Sequence, residues 1–139
     1  MKVVIISCVK RKMQIKSKAK EFYKGPLFKN SLCVANKLDA DKIFILSAKH
    51  HLLDLEKEIE PYSLTLKNFT KQEKKIWGDT VINQLKKIAD LNIDTFIILA
   101  GKEYLTPLKP HITNLEDFLG DRSYGERTHY LKSICLENV

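Results

Sequence analysis

No apolar run in this chain approaches the roughly 18 residues needed to span a bilayer, so a membrane is not expected as a partner. Glycine and proline are scarce, 5 and 4 in 139 residues. No Gly/Ser linker, internal repeat or low-complexity tract is present, so residues 1–139 are expected to fold as a single domain. Cysteine is limited to Cys8, Cys33 and Cys135. An odd set without C-x-x-C spacing or paired histidines argues against both a disulfide framework and a zinc site. Cys33 and Cys135 lie among apolar residues in helical patterns and are expected to be packed thiols. There is no G-x-G-x-x-G, no Walker lysine loop and no G-x-S-x-G elbow, which argues against ordinary dinucleotide, P-loop and hydrolase readings. No motif names a cofactor or a metal.

Acids are also short relative to bases, 17 against 24, for a net charge of +7. The excess is uneven: residues 10–29 hold eight Lys/Arg and the single acid Glu21. Such a stretch, from Lys10, Arg11 and Lys12 to Lys29, is either an electrostatic footprint for phosphates or a solvated lysine-rich face. The rest is ordinary for a soluble globular protein, 44% apolar and 29% charged. The opening Met1-Lys2-Val3-Val4-Ile5-Ile6 has too short an apolar part for a signal peptide and reads as the first strand of a cytoplasmic protein.

Three uniformly apolar segments, 2–7, 42–48 and 95–100, read as buried strands. Residues 9–24 read as a long loop or irregular helix, and 51–66 as a loop-rich connection. Pro26 opens a helix to about Leu38. Thr70 with Glu73 is a capping-box signature for a long helix to about Leu91, with Ile76, Trp77, Val81, Leu85, Ile88 and Ala89 as its buried stripe. A short helix from Lys102 to about Leu108 and a last one from Tyr124 to Leu136 follow, separated by a polar loop. Strands alternating with helices predict an α/β fold. The expected form is a three-layer sandwich on a mostly parallel sheet, with Rossmann-like topology. Its carboxyl edge, where open α/β sheets bind ligands, would gather Ser7-Cys8, Ser47-Ala48-Lys49 and Gly101-Lys102.

Each residue at that edge has two readings. Cys8 beside lysines is a nucleophile with a lowered thiol pKa, or a small residue that lets the chain turn. Ser47 and Lys49, two apart, would face one side of an extended strand as nucleophile and base, or as two donors to one phosphate; the second role fits a lysine among lysines better. Lys49 as a solvated loop residue is the alternative. His50 and His51 are consecutive and point apart, a poor metal pair; His50 is an acid/base candidate or a surface residue. Tyr23, Tyr62 and Tyr104 flank the loops as base-stacking rings or as rim packing. Trp77 reads as core. Asp54, Glu56, Glu58 and Glu60, like Asp117 and Asp121, are weaker acid or Mg²⁺-ligand candidates, and pairing with the lysine-rich loop explains the first run more cheaply.

At these residues the chain resembles a family of uncharacterised bacterial and phage domains. The matching pieces are Ser7-Cys8-Val9-Lys10, Leu46-Ser47-Ala48-Lys49-His50-His51-Leu52-Leu53, Pro61-Tyr62-Ser63-Leu64-Thr65-Leu66, the mid-helix Trp77, and Ala100-Gly101-Lys102-Glu103-Tyr104. One departure stands out: His51 occupies a position where the family usually has glycine, and a left-handed turn there would cost this chain energy. The family is distantly similar to modules found with tRNA-guanine transglycosylases and archaeosine-type enzymes, and to glycosylase-like α/β domains. That similarity implies nucleobase or nucleotide chemistry of glycosidic-bond or base-exchange type.

The expectation is therefore a nucleotide- or nucleobase-handling domain. Cys8, Ser47 and Lys49 are its catalytic candidates; Ser7, Lys12, Tyr23, His50, Tyr62, Gly101 and Tyr104 are its ligand-binding ones. A non-catalytic nucleic-acid-binding module using residues 10–29, and a nucleotide sensor that binds without turnover, are the alternatives.

Overall fold

Val3, Val4, Ile5 and Ile6 are all fully buried. Four consecutive apolar residues lose all contact with water only where a strand has neighbours on both edges and cover on both faces. The structure, a computed structural model, describes residues 1–9 and 12–136; Lys10 and Arg11 of the basic segment lie outside the described residues.

The chain runs β1 (Lys2–Ser7), β2 (Ser17–Lys18), α1 (Ala19–Phe22), α2 (Pro26–Lys37), β3 (Lys42–Ser47), β4 (His51–Asp54), β5 (Glu58–Ile59), α3 (Lys71–Lys86), β6 (Thr95–Leu99), α4 (Lys102–Leu105), β7 (Leu115–Asp117) and α5 (Tyr124–Leu136). Single 3₁₀ turns occupy Leu66–Asn68 and Lys109–His111. Five strands form one sheet in the order β4-β3-β1-β6-β7, and β2 pairs separately with β5. β1 is central and parallel to both β3 and β6, β7 is parallel to β6, and β4 alone is antiparallel. The protein is thus α/β with a mostly parallel sheet.

Alternation along the strands divides the core in two. Val3, Ile5, Phe96 and Ile98 pack with Trp77, Val81, Leu85 and Leu105. Val4, Ile6, Ile97 and Leu99 pack with Phe22, Phe28, Val34 and Leu131. Burying each such side chain is worth about 1.5–3 kcal/mol, and burial on alternate sides is why the strands read as uniformly apolar. The helices start as their residues dictate. Pro26 sits in the first turn of α2, and Thr70 and Glu73 form the complete capping box of α3.

Several local expectations are corrected. His51–Asp54 is a strand rather than loop, closing a hairpin with β3, and Leu115–Asp117 is a strand within what reads as a polar loop. Both are too short to show a periodicity; their partners define them. In α3 Ile76 is 58% exposed, because the buried face runs through Trp77, Val81 and Leu85 with Gly78 and Ile82. Gly78 is needed there, since a Cβ would lie 2.7 Å from the Pro107 Cβ. Cys33 and Cys135 are not free thiols: they form a disulfide joining α2 to α5. That pairing removes the cysteine argument for a cytoplasmic setting. Among the described residues, no helix is long and apolar enough to cross a membrane.

Candidate functional site

β1, β3 and β6 all end at one edge of the sheet, and the chain changes direction there. From β1 it passes through α2 to β3 on one side; after the hairpin it passes through α3 to β6 on the other. Cys8 continues β1 past the last strand residue, its N–H donating to the Leu46 carbonyl at 3.0 Å. The Cys8 Sγ lies 3.3 Å from the Tyr104 Oη, and Ser7 turns its hydroxyl to the Cys8 carbonyl at 2.9 Å.

Ser47 and Lys49 do not face one side. β3 stops at Ser47, and the turn over residues 48–50 leaves Ser47 fully buried and Lys49 exposed. The Ser47 hydroxyl accepts from the His50 N–H at 3.0 Å and shares a hydrogen bond with the Tyr62 Oη at 2.9 Å. The Tyr62 Oη in turn meets the Tyr23 Oη at 2.6 Å. The Trp77 indole N–H donates to the Ser47 carbonyl at 3.0 Å. Ser47 is thereby the knot tying the hairpin, the 60–66 segment and α3 together. Lys12 brings its ammonium 4.9 Å from the Tyr62 ring centroid and Lys49 brings its own to 5.8 Å. Two cations thus share one aromatic ring. His50 meets that ring edge-on at 5.4 Å.

The electrostatics correct one expectation. Burial pushes the Cys8 thiol up, and this outweighs both the Tyr104 hydrogen bond and the attraction of Lys12. Cys8 is therefore a neutral thiol at pH 7, not a thiolate. Burial, with the nearby Cys8, pushes Tyr62 to about 12, and burial raises Tyr23 and Tyr104 as well. All three phenols keep their protons and act as hydrogen-bonding groups. Burial, reinforced by Lys49, lowers the His50 pKa, leaving a neutral imidazole whose buried Nε2 has no hydrogen-bond partner among the described residues.

These residues border three adjoining cavities that share lining residues. One of about 650 Å³ lies over Lys12, Tyr62, Leu64, Thr65 and Asn68. A small one of about 130 Å³ shares Lys12, Leu64 and Thr65 with it and reaches Cys8 and Tyr104. The third, about 360 Å³, shares Cys8 and Tyr104 and continues over Ser7 and Gly101 to Lys24, Tyr124 and Arg127. We call this row of adjoining cavities across the ends of β1 and β6 the groove.

Residues 3–133 match the family of unknown function DUF6884. The chain belongs to this family. Among curated proteins no match is found. In this DUF6884 domain, then, the groove must be interpreted from its own residues.

Of the sequence candidates, Ser7, Cys8, Lys12, Tyr62, Gly101 and Tyr104 line the groove. Tyr23, Ser47, Lys49 and His50 stand behind it, joined to Tyr62 by hydrogen bonds or ring contacts. The acidic candidates are engaged elsewhere. Glu56 pairs with Lys18 and Lys20, and Glu58 with Lys16. Asp54 accepts from the Glu56 N–H, Asp117 from the Gly120 N–H, and Asp121 pairs with Lys102. Glu60 is exposed and lines none of the three cavities. Among the described residues, no group of three or more His, Cys, Asp or Glu is placed to hold a metal ion. Sequence reasoning missed Arg127. The available signal was the rarity of arginine in this lysine-rich chain, with Arg122 and Arg127 falling close together in Gly120-Asp121-Arg122-Ser123-Tyr124-Gly125-Glu126-Arg127.

Proposed function

We propose that this domain binds a nucleotide or nucleobase-containing small ligand in the groove, and that its topology is Rossmann-like in three layers. The strand order supports the topology: counting only the parallel strands, the second, first, third and fourth lie side by side, as in flavodoxin-like doubly wound sheets. In such sheets the crevice beside the first strand, where the order reverses, is the ligand site. The observation that carries the reading is the Tyr62 ring under the ammonium groups of Lys12 and Lys49, at one end of that crevice. A ring that gathers two ammonium groups suits a nucleobase, whose carbonyl and ring-nitrogen edge those groups can donate to.

Binding fits the groove better than bond cleavage. Glycosidic-bond cleavage passes through an oxocarbenium-like state that carboxylates stabilise. Among the described residues bordering the three cavities, Glu103 is the one carboxylate. With Cys8 neutral, the site offers hydrogen bonds and stacking rather than a ready nucleophile. The basic segment is a weaker basis for nucleic-acid binding, since Lys16, Lys18 and Lys20 already face Glu56 and Glu58.

Calorimetric titration of nucleoside monophosphates into the wild type and into Lys12→Ala and Lys49→Ala tests this. Each substitution is expected to weaken binding about tenfold while the melting temperature holds. Unchanged affinity in both variants overturns the reading. A steep salt dependence, with a slope near that for six or more phosphate contacts, would instead favour the nucleic-acid module.

A further inference from the structure

At the end of the groove opposite Tyr62, one side chain is held as if for a ligand that is not part of the protein. Arg127 donates its Nε–H to the Arg122 carbonyl at 2.9 Å, which fixes the plane of the guanidinium. Its terminal nitrogens have no partner among the described residues, carboxylate or otherwise. They lie instead against Gly101 in the cavity of about 360 Å³ shared with Cys8 and Tyr104. Gly101 has an ordinary φ of −72°, so its backbone does not call for glycine. A Cβ at this position would sit 3.0 Å from the Arg127 Nη1, so the absent side chain lets the guanidinium lie close over the end of β6 without being nudged aside.

Arg122 makes the contrast. It stacks on the Tyr130 ring at 3.7 Å and donates to the Leu119 carbonyl at 3.1 Å, a side chain spent on structure. Lys24 adds a second cation to the Arg127 cavity, and Glu103 contributes one carboxylate at its rim. The balance is positive. The free Nη1/Nη2 edge of the planar guanidinium matches two oxygens of a phosphate, which an ammonium cannot do.

We propose that Arg127, held by the Arg122 carbonyl and lying against Gly101, is the anchor for a phosphate monoester, and that the nucleotide of the preceding section lies with its phosphate at this end of the groove. This rests on the nucleotide reading for the remainder of the ligand, but not for the phosphate itself. A bidentate contact to a charged oxygen pair is worth at least about tenfold in affinity.

The test is calorimetric titration of the four common nucleosides, their 5′-monophosphates and inorganic phosphate into wild type, Arg127→Ala and Arg127→Lys. Thermal melts accompany each variant. The wild type is expected to prefer a monophosphate over its nucleoside by tenfold or more. That preference falls to near unity in Arg127→Ala and to an intermediate value in Arg127→Lys, with nucleoside affinity unchanged. If the alanine variant does not fold, Arg127→Gln, which keeps a polar side chain of similar length but removes the charged fork, replaces it with the same expected loss of preference. Nucleoside binding with no gain from the phosphate, or a gain that survives these substitutions, overturns the anchor and leaves the nucleotide reading standing. Inorganic phosphate that binds through Arg127 while nucleosides do not bind keeps the anchor and overturns the nucleotide. Binding by none of the probes overturns both.

Discussion

His51 holds its backbone at φ 62°, in the left-handed region that β-carbons disfavour. It does so because the three-residue turn between β3 and β4 closes on a left-handed residue, a common arrangement in hairpins of this length. Relief of strain there amounts to about 1–2 kcal/mol. Against it stand the contact of the imidazole with the Trp77 ring, at a centroid distance of 6.5 Å, and the greater entropy of glycine in the unfolded chain, about 0.5–1 kcal/mol. His51→Gly is therefore expected to raise stability by about 0.5–1 kcal/mol, read as a higher urea midpoint at unchanged slope. A lower midpoint would mean the Trp77 contact outweighs the strain. A left-handed turn at this residue was an expectation carried by the family resemblance, and His51 adopts it. The role of Arg127 was not legible in the sequence. Whether a guanidinium is satisfied depends on what surrounds it in space, and no local pattern reports that.

Among the elements, the strands with two buried faces declared themselves, since β1, β3 and β6 carry apolar residues on every side. The capping box of α3 did so equally, being a contact between residues three apart. The short strands β2, β4, β5 and β7 were hidden, because two to four residues carry no usable period and take their form from a partner. The segment between β5 and α3 shows how such a partnerless stretch is held. Tyr62 pins it to the hairpin through Ser47 and to the basic segment through Tyr23, while Leu66 inserts fully buried beside Trp77. Tyr62→Phe keeps the ring beneath Lys12 and Lys49 but removes the hydroxyl common to both hydrogen bonds. Tyr23, 3% exposed, then keeps Ser47 as its one side-chain hydrogen-bond neighbour, and the two hydrogen bonds lost with the Tyr62 hydroxyl cost about 1–3 kcal/mol together. Chemical denaturation is expected to show that loss, and nucleoside stacking is expected to persist in the variant. A loss of stability no larger than about 0.5 kcal/mol would show that Tyr62 pins nothing.

On the scale of the whole molecule, the sheet is closed over at one face by α2 and α5, which come from opposite ends of the chain and are joined by Cys33 and Cys135. With a sequence separation of 102 between the two cysteines, no spacing rule could pair them, and each in isolation reads as a packed thiol in an apolar helix. Their partnership depends on a fold that places the last helix beside the first long one. The bond acts on the unfolded chain: closing a loop of about 100 residues removes entropy worth up to about 4.7 kcal/mol, and natural cross-links deliver about 2–4 kcal/mol of it. Apart from the bond, α5 is tied to α2 by the Lys37 ammonium, which reaches the carbonyls of Ile134 and Cys135. Only Leu131 of α5 is fully buried, so the helix depends on its tether. Reduction is therefore expected to lower stability by about 2–4 kcal/mol. Hydrogen exchange is expected to rise first in α5, while the amides of β1, β3 and β6 stay protected. Cys135→Ser should reproduce both effects without a reductant. Three free thiols in protein denatured without reductant would overturn the pairing, and uniform loss of protection across the sheet would show that the bond supports the core rather than the last helix. Because Arg127 sits near the start of that helix and Cys135 near its end, partial opening of α5 also withdraws the guanidinium from Gly101. Phosphate affinity in the reduced protein is then expected to fall together with α5 protection, whereas nucleoside stacking at Tyr62, on the far side of the groove, stays as it was.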